Sequence, residues 1–219
     1  MADSEGRHAV PVSVSFFHRP VWEVAQDLLG KILLTRFEEG EAAVRLTEVE
    51  AYAGVQDRAC HAYGGRCTRR TAPMFAEGGT LYLYLCYGLH VLLNLVTGPA
   101  GDPCAVLLRA GEPLWGIDLM QKRRKGAPRT RLTVGPGALT QALGIPLAWS
   151  GEHLIGHPHL FLLDDGYRPS AIAQGPRIGV AYAGPDALHP WRYWIAGSAF
   201  VSQGRTIDWE KLCNFAQRP

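Results

Sequence analysis

Glu50, Arg109 and a run of tyrosines are the residues of this 219-residue chain best suited to chemistry. Glu50 lies in Thr47-Glu-Val-Glu-Ala-Tyr52, a segment with strand character, so alternation puts Glu48, Glu50 and Tyr52 on one face. Hemmed in by Val49, Ala51 and Tyr52, the Glu50 carboxylate is partly desolvated and needs a partner or a proton. It could act as a general base, close a structural salt bridge or face a wet sheet edge. Arg109 ends the apolar run Val106-Leu-Leu-Arg109. Its head group either snorkels to solvent or turns back to Glu50, directly or through a water. His61 sits in a Gly-rich stretch, where a lone histidine is more often a local hydrogen-bonding residue than a catalyst. Asn94 falls in a strand-like run, where asparagine is unfavourable. It is either satisfied locally or reaches out to a ligand.

The segment Thr80–Val96 reads as a β-hairpin, two apolar and aromatic runs joined at Tyr87-Gly88. Gly88 supplies the positive φ that a tight turn needs. Tyr82 and Tyr84 share a face, and Tyr87 falls at the tip. A ring there is either a wedge for a nucleic-acid groove or one stacked on a neighbour in an ordinary core hairpin. Arg66, Arg69 and Arg70 form one basic cluster. Lys122, Arg123, Arg124 and Lys125, followed by Arg129 and Arg131, form another. Such clusters neutralise phosphates or simply make a solvated loop.

The elements that must hold these groups are legible in outline. Residues 1–15 read as a flexible polar tail and 16–219 as a single domain. Pro20 opens a helix that Gly30 ends. Strands are expected at 31–36, 43–52, 104–109, 160–163, 177–181 and 191–196, and helices at 114–123 and 137–143. The stretch 53–79 lacks periodicity and reads as a long ordered loop, a length that hints at function. Hydrophobic residues make up 47%, which supports a sizeable core, and 25 glycines and 15 prolines favour many turns. The class expected is α+β, antiparallel runs with interspersed helices. Net charge of +2 neither demands nor excludes a polyanion, and five cysteines without a CxxC pair suggest reduced thiols in the cytosol. No stretch is apolar enough to span a membrane. His153, His157 and His159 match no strong metal-ligand spacing, and no metal site is expected.

In order along the chain stand Glu48-Val-Glu-Ala-Tyr-Ala-Gly54, His61 with Gly64-Gly-Arg66, Met74-Phe75, Gly79-Thr-Leu-Tyr-Leu-Tyr-Leu-Cys-Tyr-Gly88 and Asn94. Val106-Leu-Leu-Arg-Ala110, Gly135-Pro-Gly137, Gln141-Ala-Leu143 and Arg177-Ile-Gly-Val180 follow. From about Pro20 to Ser202 this set resembles the alkyladenine DNA glycosylase family, the 3-methyladenine DNA glycosylases of the methylpurine type. Ala62-Tyr63 departs from the Ser-Arg usual in eukaryotic members, and the short N-terminus is similar to bacterial ones.

The resemblance implies one α+β domain on a curved antiparallel sheet, with a hairpin protruding into the DNA minor groove. It makes Tyr87 the residue that fills the gap left by a flipped nucleotide. Tyr52 on one side, and Tyr84 with His61 on the other, would stack the base. The backbone N–H at His61 would touch the base edge, and Asn94 would obstruct the 2-amino group of normal guanine. Glu50 becomes the general base for a water, oriented by Arg109 and the main-chain carbonyl of Ile178. The reaction implied is hydrolysis of the N-glycosidic bond, leaving an abasic site. No cofactor is implied, and no lysine lies in the matched catalytic segments for a lyase step. Cationic lesions such as 3-methyladenine or 7-methylguanine are the expected substrates, because hypoxanthine or ethenoadenine would need an acid that no residue obviously supplies. Arg66, Arg69, Arg70 and residues 122–125 become candidates for phosphate contact, with double-stranded DNA as partner to a cytoplasmic monomer. A damaged-DNA-binding module without chemistry leaves Glu50 and Arg109 unexplained, and a nucleoside hydrolase leaves Tyr87 and the basic clusters unexplained.

Overall fold

In the computed structural model, which describes residues 9–202, one long strand organises the molecule. This is β3, Gly40–Ala53, which pairs along its length with β6, Cys104–Trp115. Its other edge is shared. The first half, from Gly40 to Arg45, pairs with β2 (Ile32–Phe37), and Glu48 to Glu50 pair with β9 (Arg192–Ile195). The hairpin strands β4 (Leu81–Cys86) and β5 (His90–Thr97) extend the sheet beyond β6. At the far side β2 pairs with β7 (Leu160–Asp164), and β7 with β1 (Val10–Pro11). A short β8, Ile172–Gly175, pairs with β9. Among the described residues all pairings are antiparallel, in one open nine-stranded sheet within a single α+β domain.

Alternation gives the sheet two different faces. Val49, Ala51, Leu81, Leu83, Leu93, Leu95, Val106 and Leu108 pack into the main core with Val24, Ala25 and Leu28 of α1 (Val21–Leu28). Leu139, Ala142 and Leu143 of α3 (Pro136–Leu143) join the same core, as does Met120 of α2 (Ile117–Arg123). Burying a leucine contributes about 1.5–3 kcal/mol, so this face anchors the residues that alternate with it. Those residues are Glu48, Glu50, Tyr52, Tyr82, Tyr84, Asn94, Leu107 and Arg109.

Several sequence expectations need correction. Of the expected tail 1–15, residues 1–8 lie outside the described residues, while Val10 and Pro11 pair with Asp164 and Leu163, and Val14–Phe16 form a 3-10 turn. Residues 177–181 are not a strand. Gly179 has φ +78° and breaks the extended run ahead of the 3-10 segment Ala181–Leu188. Leu114 and Trp115 belong to β6 rather than to the following helix. The expected loop 53–79 contains three 3-10 turns, Gly54–Gln56, Tyr63–Gly65 and Ala72–Phe75.

Candidate active site

Between β3 and β6 the register slips around Glu48, an irregularity of the kind that re-aims a side chain. Glu48 and Glu50 are both 0% exposed, and both contact Arg109. The Arg109 Nε donates to Glu48 Oε1 at 3.1 Å and its Nη1 to Glu50 Oε2 at 3.2 Å. Burial opposes the arginine's charge, but Glu50 and Glu48 outweigh it and hold the guanidinium above the usual arginine range. Arg109 therefore pairs inward instead of snorkelling.

Glu50 accepts two further hydrogen bonds. Tyr52 Oη donates to Oε2 at 2.9 Å, and the Ile178 N–H donates to Oε1 at 2.7 Å. Burial, then the Glu50 charge, raises the Tyr52 phenol well above its ordinary range, so it remains a donor. The expected role at Ile178 fell on its carbonyl, whereas the bond to Glu50 comes from its amide. A carboxylate has about four acceptor positions, and among the described residues three are filled, which leaves one.

Tyr52, Arg109 and Ile178 form part of the wall of a cavity of about 440 Å³. Glu50 sits immediately behind that wall. His61, Tyr84, Asn94 and Tyr87 also line the cavity, so the expected base-binding residues and the hairpin tip are brought together. Tyr182, which the sequence reading did not single out, lines it as well, its hydroxyl tethered to the Ala59 carbonyl at 3.0 Å.

The rings are fixed in different orientations. His61 and Tyr84 lie 4.6 Å apart at 74°, so a base that stacks on one meets the other edge-on. His61 Nδ1 is 2.7 Å from Tyr82 Oη, and burial, with Arg70 and Arg66 adding, lowers its pKa to about 4. The imidazole is neutral near pH 7. Asn94 donates to the Tyr82 carbonyl across the hairpin, so its amide is held locally while it lines the cavity. Behind Tyr52, the buried Arg177 forms a two-pronged pair with Asp57 and lies 4.7 Å from the Tyr52 ring centroid. No strand pattern could reveal that pair, since its members are far apart in sequence.

The hairpin tip is a three-residue loop, because Cys86 pairs with His90. Gly88 takes φ +68° as expected, but Tyr87 also takes a positive φ, +51°. A bulky side chain there costs energy, and Tyr87 is nevertheless 91% exposed. Leu89 beside it is 77% exposed.

The two basic clusters differ. Arg66, Arg69 and Arg70 are exposed. Arg123 is committed to Glu39 and the Ala142 carbonyl, and Arg124 to the Leu132 carbonyl and Gln141. Lys122 and Lys125 are exposed. His153, His157 and His159 make separate local bonds, to Gly78, to the backbone of residues 159–160 and to Arg36. Among the described residues no group of three or more His, Cys, Asp or Glu side chains could hold a metal ion, and no helix is long and apolar enough to cross a membrane.

Most of the chain is similar to known proteins. A profile described as methylpurine-DNA glycosylase (MPG) matches residues 15–199. A protein of Bacillus licheniformis is 44% identical over 193 residues, 88% of this chain and 97% of its own length. One of Bacillus subtilis is 41% identical over 197 residues, 90% and 99% of the two chains. One of Leifsonia xyli is 46% identical over 186 residues, 82% and 86%. Each carries the name "Putative 3-methyladenine DNA glycosylase". With the profile covering β2 to β9, the cavity and the hairpin together, the chain belongs to the methylpurine-DNA glycosylase family of DNA-repair hydrolases.

Proposed function

We propose that the protein removes cationic alkylated purines, 3-methyladenine and 7-methylguanine, from duplex DNA by flipping the nucleotide into the tyrosine-lined cavity. The observation that carries this reading is the position of Glu50, a triply bonded carboxylate directly behind the aromatic wall.

A water in the cavity donates a proton to the one acceptor position left on Glu50 and attacks C1′ of the deoxyribose. The Glu50 charge also stabilises the positive charge that develops on the sugar. Arg109 and the Ile178 backbone orient the carboxylate and the water. The leaving purine already carries positive charge, so no acid is required of the protein. Neutral His61 suits this, since an imidazolium would repel such a base. Stacking on an aromatic ring is worth about 1–3 kcal/mol per base, and the π face adds attraction for a cation. Tyr87 enters the vacated stack and offsets part of the flipping cost. Arg66, Arg69 and Arg70 touch phosphates, which position the duplex without reading its sequence. The protein acts as a monomer in the bacterial cytoplasm.

The test is incubation with a duplex that carries one 7-methylguanine, followed by alkali. Strand scission at that site is expected. Binding of the duplex with scission no higher than background would instead support a damage-binding module without chemistry.

A further inference from the structure

Each nitrogen of the Arg109 guanidinium is bonded, Nη1 to Glu50, Nε to Glu48 and Nη2 to Ser202. Thr47 Oγ1 donates to the Phe200 carbonyl and so lays the segment 198–202 against β3. Ser202 then makes three bonds. Its N–H donates to Glu48 Oε2 at 2.6 Å, its hydroxyl donates to Glu48 Oε1 at 2.8 Å, and the same hydroxyl accepts from Arg109 Nη2 at 3.2 Å. A hydroxyl has one proton and two lone pairs, so donating to Glu48 while accepting from Arg109 uses it consistently. Glu48 also accepts from Arg192 Nη1, and Arg192 Nε donates to the Pro176 carbonyl, two residues before Ile178. Glu48 thus links the 198–202 segment, Arg109 and the loop that presents the Ile178 N–H.

We propose that Ser202, bonded directly to Arg109 and to Glu48, is a positioning residue for Arg109 in base release. This rests on the reading of Glu50 as the base. Arg109 now meets Glu50 with a single nitrogen, Nη1, while Nε and Nη2 are held by Glu48 and Ser202. A buried guanidinium that lost the Ser202 partner would have a donor unmet, which is costly. The nearest remedy is a rotation onto Glu50 as a two-pronged pair, the geometry that arginine and carboxylate prefer. That pair would fill the acceptor position on Glu50 that the water needs. Ser202 therefore keeps Glu50 available without touching the substrate.

The experiment compares Ser202→Ala, Ser202→Thr and Glu50→Gln in the full chain, on a duplex with one 7-methylguanine. Single-turnover base release, DNA affinity and thermal melting are measured together. Ser202→Ala is expected to lose about ten- to hundred-fold in the single-turnover rate, with DNA affinity and melting unchanged. Ser202→Thr, which keeps the hydroxyl, recovers most of the rate. A wild-type rate for Ser202→Ala, with Glu50→Gln inactive, overturns this inference alone. Joint loss of rate, affinity and melting temperature that threonine does not rescue also overturns it, since the serine would then be merely structural. A wild-type rate for Glu50→Gln removes the base itself and overturns both readings.

Discussion

The functional face of the sheet has two ends of opposite character. At the inner end, Glu48, Glu50 and Arg109 are buried and bound to one another, with Tyr52, Arg192, Ser202 and the Ile178 backbone completing the set. At the outer end, Tyr87 and Leu89 stand in solvent on a turn with two successive positive φ angles. The inner end is preorganised by the protein, which is what electrostatic catalysis requires. Among the described residues the outer end makes no such network, and in the proposed function its exposed tyrosine stacks on DNA. Damage to the inner end should therefore remove chemistry and stability, and damage to the outer end should remove capture of the base and leave stability alone.

The largest effect separating the two ends is expected from Arg109→Met. It leaves the buried Glu50 without a cationic partner among the described residues and Glu48 with Arg192 alone, and removing one partner of a buried pair costs about 3–5 kcal/mol. Urea unfolding should show that loss alongside a collapse of base release. Unchanged stability would mean that the inner network is dispensable to the fold. Tyr87→Ala should leave unfolding untouched while removing about 1–3 kcal/mol of stacking. The rate should fall further for a paired lesion than for the same lesion opposite a mismatch, and equal losses would argue against a wedge.

His61 lies between the two ends and offers a test by pH. Its folded pKa of about 4 lies below the ordinary 6.5, so between those values the unfolded chain binds more protons. Stability contributed by the neutral imidazole is present above pH 6.5 and is lost as the pH falls towards 4. Thermal melts from pH 7.5 down to about 4.5 should show a shallower decline for His61→Gln than for the parent. Parallel curves would remove His61 from the account.

The smallest effect expected is a difference between the basic clusters. Each exposed arginine of 66, 69 and 70 that meets a phosphate should add about 0.9 to the slope of log affinity against log salt. Substituting these with glutamine should flatten the slope. Substituting Arg123 or Arg124 should leave the slope alone and lower stability instead, because their guanidiniums are already bonded within the protein. Equal slopes for both sets would erase the distinction.

Much of the inner face was legible in the sequence because strand alternation is local. Glu48, Glu50 and Tyr52 share a face as expected, and Tyr82 and Tyr84 likewise. The hairpin was legible from its apolar runs and Gly88, but the positive φ of Tyr87 was not, since nothing in its residue type favours that conformation. The loop at Ile178 was misread because Arg-Ile-Gly-Val has the apolar content of a strand. Its geometry is set by Gly179 and by Glu50 accepting the Ile178 N–H, a partner that only the folded chain supplies. β8 was missed because Ile-Ala-Gln-Gly carries little strand signal and forms only by pairing with β9. Ser202 had no signal at all, since a serine near the end of a chain acquires meaning only when the segment lies beside Glu48. Contacts set by tertiary approach, such as Asp57 with Arg177, share that limitation.

The central claim is that the Glu50 carboxylate activates the attacking water, and Glu50→Gln tests it most directly. The amide preserves size and removes the base, so the single-turnover rate on 7-methylguanine DNA should fall by about 10²–10⁴-fold while affinity for the same duplex is retained. A rate near that of the parent protein would contradict the claim, and with it the assignment of the cavity.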